Sequence, residues 1–148
     1  MAEYILILGR EPELSVAELT AVAARDKLDL EWLEIASTYA YVRGNLPREL
    51  LTQIAGTVKL AEVMGVVAST EASITKMVTD KLVALGNEQW HFGFSWYGAL
   101  APRWLRSVGM SIKKERRVSG VRARFVVSLE PTLSSVVVTK NKLLPPQG

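Results

Sequence analysis

Residues 4–19 read YILILGREPELSVAEL. Residues 4–8 are a short apolar run that ends at a glycine, which predicts a buried β-strand. Ser15 and Glu18 have the spacing of a capping box, in which two side chains satisfy free backbone N–H groups at the start of a helix. A helix is therefore expected to begin at Ser15 and to end near Arg25. A strand followed at once by a helix indicates the start of a mixed α/β unit.

The segments that follow continue this alternation. Residues 32–42 are rich in aromatic and β-branched side chains and predict a strand or a tight pair of strands. Apolar residues at helical spacing then predict a helix from residue 47 to about residue 65, and residues 66–68 are expected to add a strand. The resulting order, β-α-β-(β)-α-β, is compatible with a ferredoxin-like layer of helices on one face of a sheet.

The second half of the chain predicts further helices and strands. A helix capped by Ser69 or Thr70 is expected to stop at Gly86 and Asn87. After it we expect a strand over residues 90–97, a long helix over 102–118 and a strand over 122–127. Residues 133–144 have a helical apolar face but also three consecutive valines, and a helix is favoured. The composition changes near residue 68, which predicts domains over residues 1–68 and 69–148.

Composition excludes several classes of function. The chain has 148 residues, 49% hydrophobic and 22% charged, as in a folded protein. It has no cysteine, which excludes disulfides, thiolate metal sites and cysteine nucleophiles, and which favours a cytoplasmic location. No window has the roughly 18 apolar residues of a membrane-spanning helix. His91 is the only histidine and is expected to be an ordinary strand residue.

Charge is distributed unevenly along the chain. Residues 1–88 contain 8 Lys and Arg against 13 Asp and Glu, a net charge of −5, whereas residues 89–148 contain 10 against 2, a net charge of +8. Neutralisation of phosphates supplies most of the sequence-independent affinity of proteins for nucleic acids. The asymmetry therefore predicts that a polyanion contacts the C-terminal half.

The long helix over residues 102–118 carries a basic stripe. Each residue advances 100° around a helix, so Arg103, Arg106, Lys113 and Arg117 fall within roughly 80° of one another. The apolar residues lie on the other side, and Lys114, Arg122 and Arg124 add further positive charge nearby. The alternatives are an ordinary solvated face and a short localisation signal. A polyanion-binding face is favoured because a rigid helix presents these cations together.

Residues 133–143 combine hydroxyl, amide and ammonium donors with an apolar anchor. If Ser134 and Ser135 begin a helix, they can bind a phosphate or a terminal ribose, and ordinary helix capping is the alternative. The residues alone do not choose between the two. Trp96 and Trp104 are expected in the core, and Tyr97 is a candidate for stacking on an unpaired base. The sequence contains neither a glycine-rich nucleotide loop nor the Asp/Asn-Pro-Pro-aromatic catalytic tetrapeptide.

The opening stretch, residues 4–19, resembles the start of the archaeal and eukaryotic-type tRNA guanosine N2-methyltransferases that modify position 10. Residues 92–98, 109–114, 122–127 and 133–143 follow in the order that this family shows, and the last of these segments is the most specific. The resemblance covers nearly the whole chain. It implies an α+β protein with a ferredoxin-like domain over residues 1–68 and a THUMP domain over residues 69–148.

The resemblance also implies a function. A THUMP domain grips the acceptor end of tRNA, including the 3′ terminus, for a Rossmann-type methyltransferase domain that uses S-adenosylmethionine. That domain is not in this chain, since the family continues past residues 141–143 into a further strand and the catalytic domain. We therefore expect a truncated or split protein without cofactor or active site. Its expected partners are tRNA and a methyltransferase domain in cis or in trans, with neither DNA nor a membrane.

Together, the basic stripe and the resemblance predict a set of RNA contacts, namely Arg103, Arg106, Lys113, Lys114, Arg117, Arg122, Arg124, Ser134, Ser135, Lys140, Asn141 and Lys142. One alternative is a protein-interaction subunit that completes a separate catalytic partner through its apolar strands. The other is a small enzyme, for which the sequence offers no nucleophile, metal cluster or cofactor loop.

Overall fold

The computed structural model of the chain describes residues 1–84, 89–98 and 100–144 and divides it into two units, Met1–Met64 and Gly65–Gly148. The domains expected from the sequence meet at residues 68 and 69. The first unit is a four-stranded antiparallel sheet in the order β2-β3-β1-β4. Its elements are β1 Ala2–Leu8, α1 Pro12–Arg25, β2 Leu30–Ile35, β3 Tyr39–Gly44, a short 3-10 helix Arg48–Thr52, and β4 Thr57–Glu62.

The core of the first unit lies between α1 and one face of this sheet. Strand alternation turns Leu6 of β1 and Val42 of β3 to the same face, where Leu19 of α1 packs against them. All three side chains have no exposed surface. Burying each of them fully contributes about 1.5 to 3 kcal/mol. The predicted strand pair over residues 32–42 is confirmed, since β2 and β3 pair with each other there.

The predicted capping box is wrong. The helix α1 begins three residues before Ser15, at Pro12, because proline suits the first helical turn. Ser15 is buried inside the helix, and its hydroxyl donates to the main-chain oxygen of Gly56 at 2.7 Å. The Glu18 carboxylate accepts from the backbone N–H of Gly56 at 2.7 Å and from that of Ala55, which lowers the pKa of Glu18. Both side chains thus hold the turn before β4.

The predicted helix over residues 47–65 is also wrong. The helical turn stops at Thr52, the strand β4 follows, and residues 66–68 form no strand. A Cβ atom on Gly56 would lie 2.7 Å from the Cα atom of Ser15, so the chain reverses at a position that only glycine fits. The segment after it then pairs with the edge of β1. Pairing between distant segments overrides the local helical spacing of its apolar residues.

In the second unit, the order of elements agrees with the prediction. They are α2 Glu71–Ala84, β5 Trp90–Gly93, α3 Leu105–Val118, β6 Ala123–Val126 and α4 Ser135–Lys140. The two strands are shorter than predicted, and the helix over residues 133–144 is confirmed in its central part. The helix predicted over residues 102–118 begins at Leu105, so Arg103 precedes it. Thr70 caps α2 by accepting from the N–H of Ser73 at 3.2 Å. The predicted stop of this helix at Gly86 and Asn87 lies outside the described residues.

The strands β5 and β6 are parallel and are connected through α3. Val108 and Ile112 of α3 are fully buried, and the same helix places Gly109 directly against the ring of Phe125 on β6. The rings of Phe92 and Phe125 stack with centroids 5.3 Å apart. The alternate residues of the two strands, beginning with His91 and Arg124, point to the opposite face. Among the helices of the described ranges, none is both long and apolar enough to cross a membrane.

Candidate nucleic-acid interface

The helix α3 has one basic side and one buried side, as the sequence predicts. Arg106, Lys113, Lys114 and Arg117 are exposed, whereas Arg116 is buried. The carboxylate of Glu115 accepts from the hydroxyl of Thr79 on α2 at 3.1 Å, so it is engaged with the neighbouring helix. The cationic side of α3 is therefore directed to solvent by the packing of its apolar side.

The C-terminal end of α3 forms a concavity of about 340 Å³ that contains Lys113, Arg117 and Arg122. We call these three residues and the surface between them the basic concavity. Gly120 follows the helix with φ +80°, and its N–H donates to the oxygen of Arg117 at 3.1 Å. This turn returns the chain towards the sheet, where the oxygen of Arg122 accepts from the N–H of Trp90 at 2.9 Å. The helix α3 and the residue just before β6 thus supply cations to one concavity.

Arg103 and Arg106 lie at a different concavity. They line a second concavity of about 300 Å³ near the start of α3, with Phe94, Phe125 and Leu129 among the apolar residues around it. The stripe that the sequence predicts as one face is therefore divided between two concavities. Trp104 packs against the core of the second unit, as predicted. Trp96 is half-buried, and its ring packs edge to face on that of Trp104 at 6.2 Å. Tyr97 is 44% exposed.

Arg124 and Asn141, two predicted RNA contacts, are bonded to each other. The Arg124 guanidinium donates to the Asn141 side-chain oxygen at 3.1 Å. The main-chain oxygen of Asn141 lies 3.2 Å from Nδ1 of His91, and its side-chain amide donates to the oxygen of Val137 at 2.9 Å. Asn141 thus fastens the end of α4 to both strands. The sequence prediction missed the part played by His91, because the register of parallel strands and the docking of α4 leave no local signal.

The segment around α4 behaves partly as the capping alternative predicts. The Ser134 hydroxyl accepts from the N–H of Val137 at 3.3 Å, so it caps the helix. Ser135 and Lys140 are exposed. Lys142 follows the helix with φ +55°, and its N–H donates to the oxygen of Thr139 at 3.2 Å. This is the turn with which helices commonly end, but the position usually holds glycine.

No protein-family model, curated protein or solved structure matches this chain. Membership of the tRNA methyltransferase family therefore stays a prediction. Within residues 1–84, 89–98 and 100–144, no three His, Asp or Glu side chains are grouped closely enough to hold a metal ion. The basic concavity and the neighbouring exposed cations are the features from which a function can be argued.

Proposed function

We propose that the second unit is an RNA-binding module, that its ligand is tRNA, and that the basic concavity contacts the phosphate backbone. The observation that carries the proposal is the convergence of Lys113, Arg117 and Arg122 in one concavity. Residues 65–148 contain 12 Lys and Arg against 5 Asp and Glu, a net charge of +7. A phosphate group recognises such a cluster because arginine donates to it in pairs and lysine adds a point charge.

The cations of the basic concavity differ in their pairing from several other cations of the chain. In the first unit, Arg43 forms ion pairs with Glu3 at 2.8 Å and with Glu31 at 3.0 Å, and Arg25 pairs with Asp26. The described ion pairs do not include Lys113, Arg117 or Arg122. A cation already paired with a carboxylate binds a phosphate less readily, because the existing pair must first be broken. The second unit also contains an ion pair, between Lys76 and Asp80 at 2.5 Å, but it lies outside the basic concavity. The difference therefore supports the basic concavity as the phosphate-binding surface.

The proposal extends to the domains that the resemblance implies. The first unit would be a ferredoxin-like domain whose second helix is reduced to the 3-10 helix Arg48–Thr52. Its strand order supports this, because β3 lies between β1 and β2 as in a split βαβ arrangement. The second unit would be the THUMP domain. A methyltransferase domain outside this chain would bind S-adenosylmethionine and do the chemistry in the cytoplasm, while this chain positions the acceptor stem and 3′ end of the tRNA.

Filter binding of the whole chain to tRNA at several salt concentrations tests the proposal. Three phosphate contacts predict that the logarithm of the association constant falls with the logarithm of salt concentration with a slope of about −2 to −3. A DNA duplex of similar length serves as the control, and we expect it to bind more weakly than tRNA. Absence of binding at low salt, or affinity that does not change with salt, would overturn the proposal.

A specific observation favours a second candidate function, a protein-interaction subunit. Leu100 and Leu129 are almost fully exposed beside the concavity that contains Phe94 and Phe125. Exposed apolar side chains around a concavity are typical of a surface that binds another protein. Co-purification of a methyltransferase-like protein after ribonuclease treatment, together with absence of tRNA binding, would favour this candidate.

Lys27 and Lys142 offer a matched pair of substitutions. Both follow a helix and have left-handed backbone, with φ of +53° and +55°. A side chain costs roughly 1 to 2 kcal/mol in that conformation, and glycine avoids the cost but gains freedom in the unfolded chain. We expect Lys27→Gly and Lys142→Gly each to raise the free energy of unfolding by up to about 1 kcal/mol. Urea unfolding measures this change.

The same pair separates stability from binding. Each substitution removes one positive charge, but only Lys142 lies in the second unit, next to Asn141. Lys142→Gly is therefore expected to weaken tRNA binding, whereas Lys27→Gly leaves it unchanged. Equal binding by both variants would remove Lys142 from the set of RNA contacts.

A further inference from the structure

We propose that His91, Arg124, Lys140 and Lys142 form a second phosphate-binding subsite, and that protonated His91 supplies one of its positive charges. We call this group the His91 subsite. The inference rests on the proposed RNA-binding function and deepens it, since it assigns a role to the single histidine of the chain. The ligand is a backbone phosphate of the bound RNA.

Two neighbouring strands and the end of α4 build this subsite. His91 on β5 stands opposite Arg124 on β6 in the parallel pairing, so their side chains share one face of the sheet. Both reach Asn141, since Nδ1 of His91 lies 3.2 Å from its main-chain oxygen and the guanidinium of Arg124 lies 3.1 Å from its side-chain oxygen. Lys140 and Lys142 flank Asn141 and are exposed. Asn141 is anchored to both strands, so the backbone that carries the two lysines is held at the end of the sheet where Arg124 lies.

The hydrogen bonds of His91 define which nitrogen carries the proton. A main-chain oxygen can only accept, so Nδ1 of His91 must donate to Asn141. The other ring nitrogen, Nε2, lies 3.2 Å from the side-chain nitrogen of Gln89, and an amide nitrogen donates, so Nε2 accepts. Protonation of Nε2 requires only that the Gln89 amide turns to present its oxygen. The bond from Nδ1 to Asn141 remains, so His91 can gain a charge without releasing α4.

The residues around His91 link its protonation to the binding of a phosphate. Arg124 of β6 shares the face of the sheet and the partner Asn141 with His91, Lys140 and Lys142 flank Asn141 in the sequence, and Gln89, just before β5, is neutral. In the described part of the chain, no carboxylate contacts the imidazole. A phosphate bound at this site attracts a protonated imidazole, so phosphate binding and proton uptake favour each other. Histidine is the side chain that ordinarily changes charge between pH 5 and 8.

Two substitutions separate the charge of His91 from its anchoring of α4. His91→Asn keeps an N–H close to the position of Nδ1 but cannot be protonated. His91→Phe keeps a flat ring but lacks the donor to Asn141. The whole chain and both variants are titrated with tRNA over a range of salt concentrations at pH 6 and at pH 8. The unmodified chain and His91→Asn share every other group that titrates between these pH values, so the difference between the two reports on His91.

We expect the slope of the logarithm of the association constant against the logarithm of salt concentration, the salt slope, to change with pH in the unmodified chain only. One additional phosphate contact makes the slope steeper by about 0.7 to 0.9, and we expect this difference between pH 8 and pH 6. His91→Asn should bind like the unmodified chain at pH 8 and show no steeper slope at pH 6. His91→Phe should bind more weakly at both pH values, because the end of α4 loses one of its anchors.

Two other outcomes are decisive in different ways. If His91→Asn keeps the same pH difference as the unmodified chain, or if the unmodified chain shows none, the His91 subsite is wrong while salt-dependent binding leaves the proposed function intact. If the unmodified chain fails to bind tRNA at either pH, the proposed function itself is wrong. The His91→Asn comparison does not depend on His91→Phe, so it stands even if the phenylalanine variant fails to fold.

Discussion

Replacing Lys113 and Arg117 together by glutamate is expected to lower the affinity for tRNA by about 100-fold or more, because two phosphate contacts are lost and like charges then face each other. The salt slope should become shallower by about 1.4 to 1.8. All tRNAs should be affected alike, since phosphate contacts carry no sequence information. Filter binding of several tRNAs at one pH and several salt concentrations measures both the loss of affinity and the change in the salt slope. Both residues are exposed, so the free energy of unfolding should change by less than about 0.5 kcal/mol.

The matched control is the double substitution of Arg10 and Arg48 by glutamate. Both arginines are exposed and lie in the first unit, and their reversal changes the net charge of the chain by the same amount. If the basic concavity binds the RNA, the control variant should retain most of the affinity. A loss as large as that of the first variant would mean that overall charge, and not the basic concavity, governs binding.

Replacing Gly109 by alanine is expected to destabilise the second unit. An alanine in place of glycine usually stabilises a helix by up to about 1 kcal/mol. At this position, however, the Cβ atom would lie 2.2 to 2.5 Å from three ring atoms of Phe125. We expect the free energy of unfolding to fall by about 1 to 3 kcal/mol or more, because α3 must move away from β6. Thermal unfolding measures the change, with roughly 4 to 8 °C of Tm per kcal/mol in a unit of this size.

A second substitution identifies the cause of this loss. Phe125→Leu shortens the side chain that Gly109 meets, so the double variant should be more stable than the sum of the two single effects predicts. A Gly109→Ala variant as stable as the unmodified chain would show that the helix is not packed on this ring. Binding of tRNA should weaken together with stability, since Lys113, Arg117 and Arg122 depend on the packing of α3 for their common position.

Several features of the chain follow from short stretches of sequence. The helix α3 is predicted by its apolar spacing, and its exposed cations are predicted by the same periodicity. Thr70 marks the start of α2, since a helix cap depends on one residue and its immediate neighbours. The excess of positive charge in the second half is a property of composition alone. These predictions succeed because the interactions behind them lie within one or two helical turns.

Other features depend on residues far apart in the chain. Val58 and Ala61 continue the helical spacing of the apolar residues before them, but both lie in the strand β4 because β1 offers an unpaired edge. Ser15 and Glu18 have the pattern of a capping box, yet their side chains bond to the turn at Gly56, about 40 positions away. His91 has no local pattern at all. Its bond to Asn141 spans 50 positions.

The candidate site shows the same division. Periodicity predicted that Arg103, Arg106, Lys113 and Arg117 share one side of a helix, but Arg103 precedes α3, and only the other three are exposed residues of the helix. Whether they share one concavity depends on where the chain returns after Gly120, which places Arg122 beside Lys113 and Arg117 and leaves Arg103 and Arg106 at the other concavity. A helix determines the angle between its own side chains, because each residue advances by a constant rotation. Which of those side chains lie beside a strand depends on long-range packing. The periodicity of one helix gives no information about that packing.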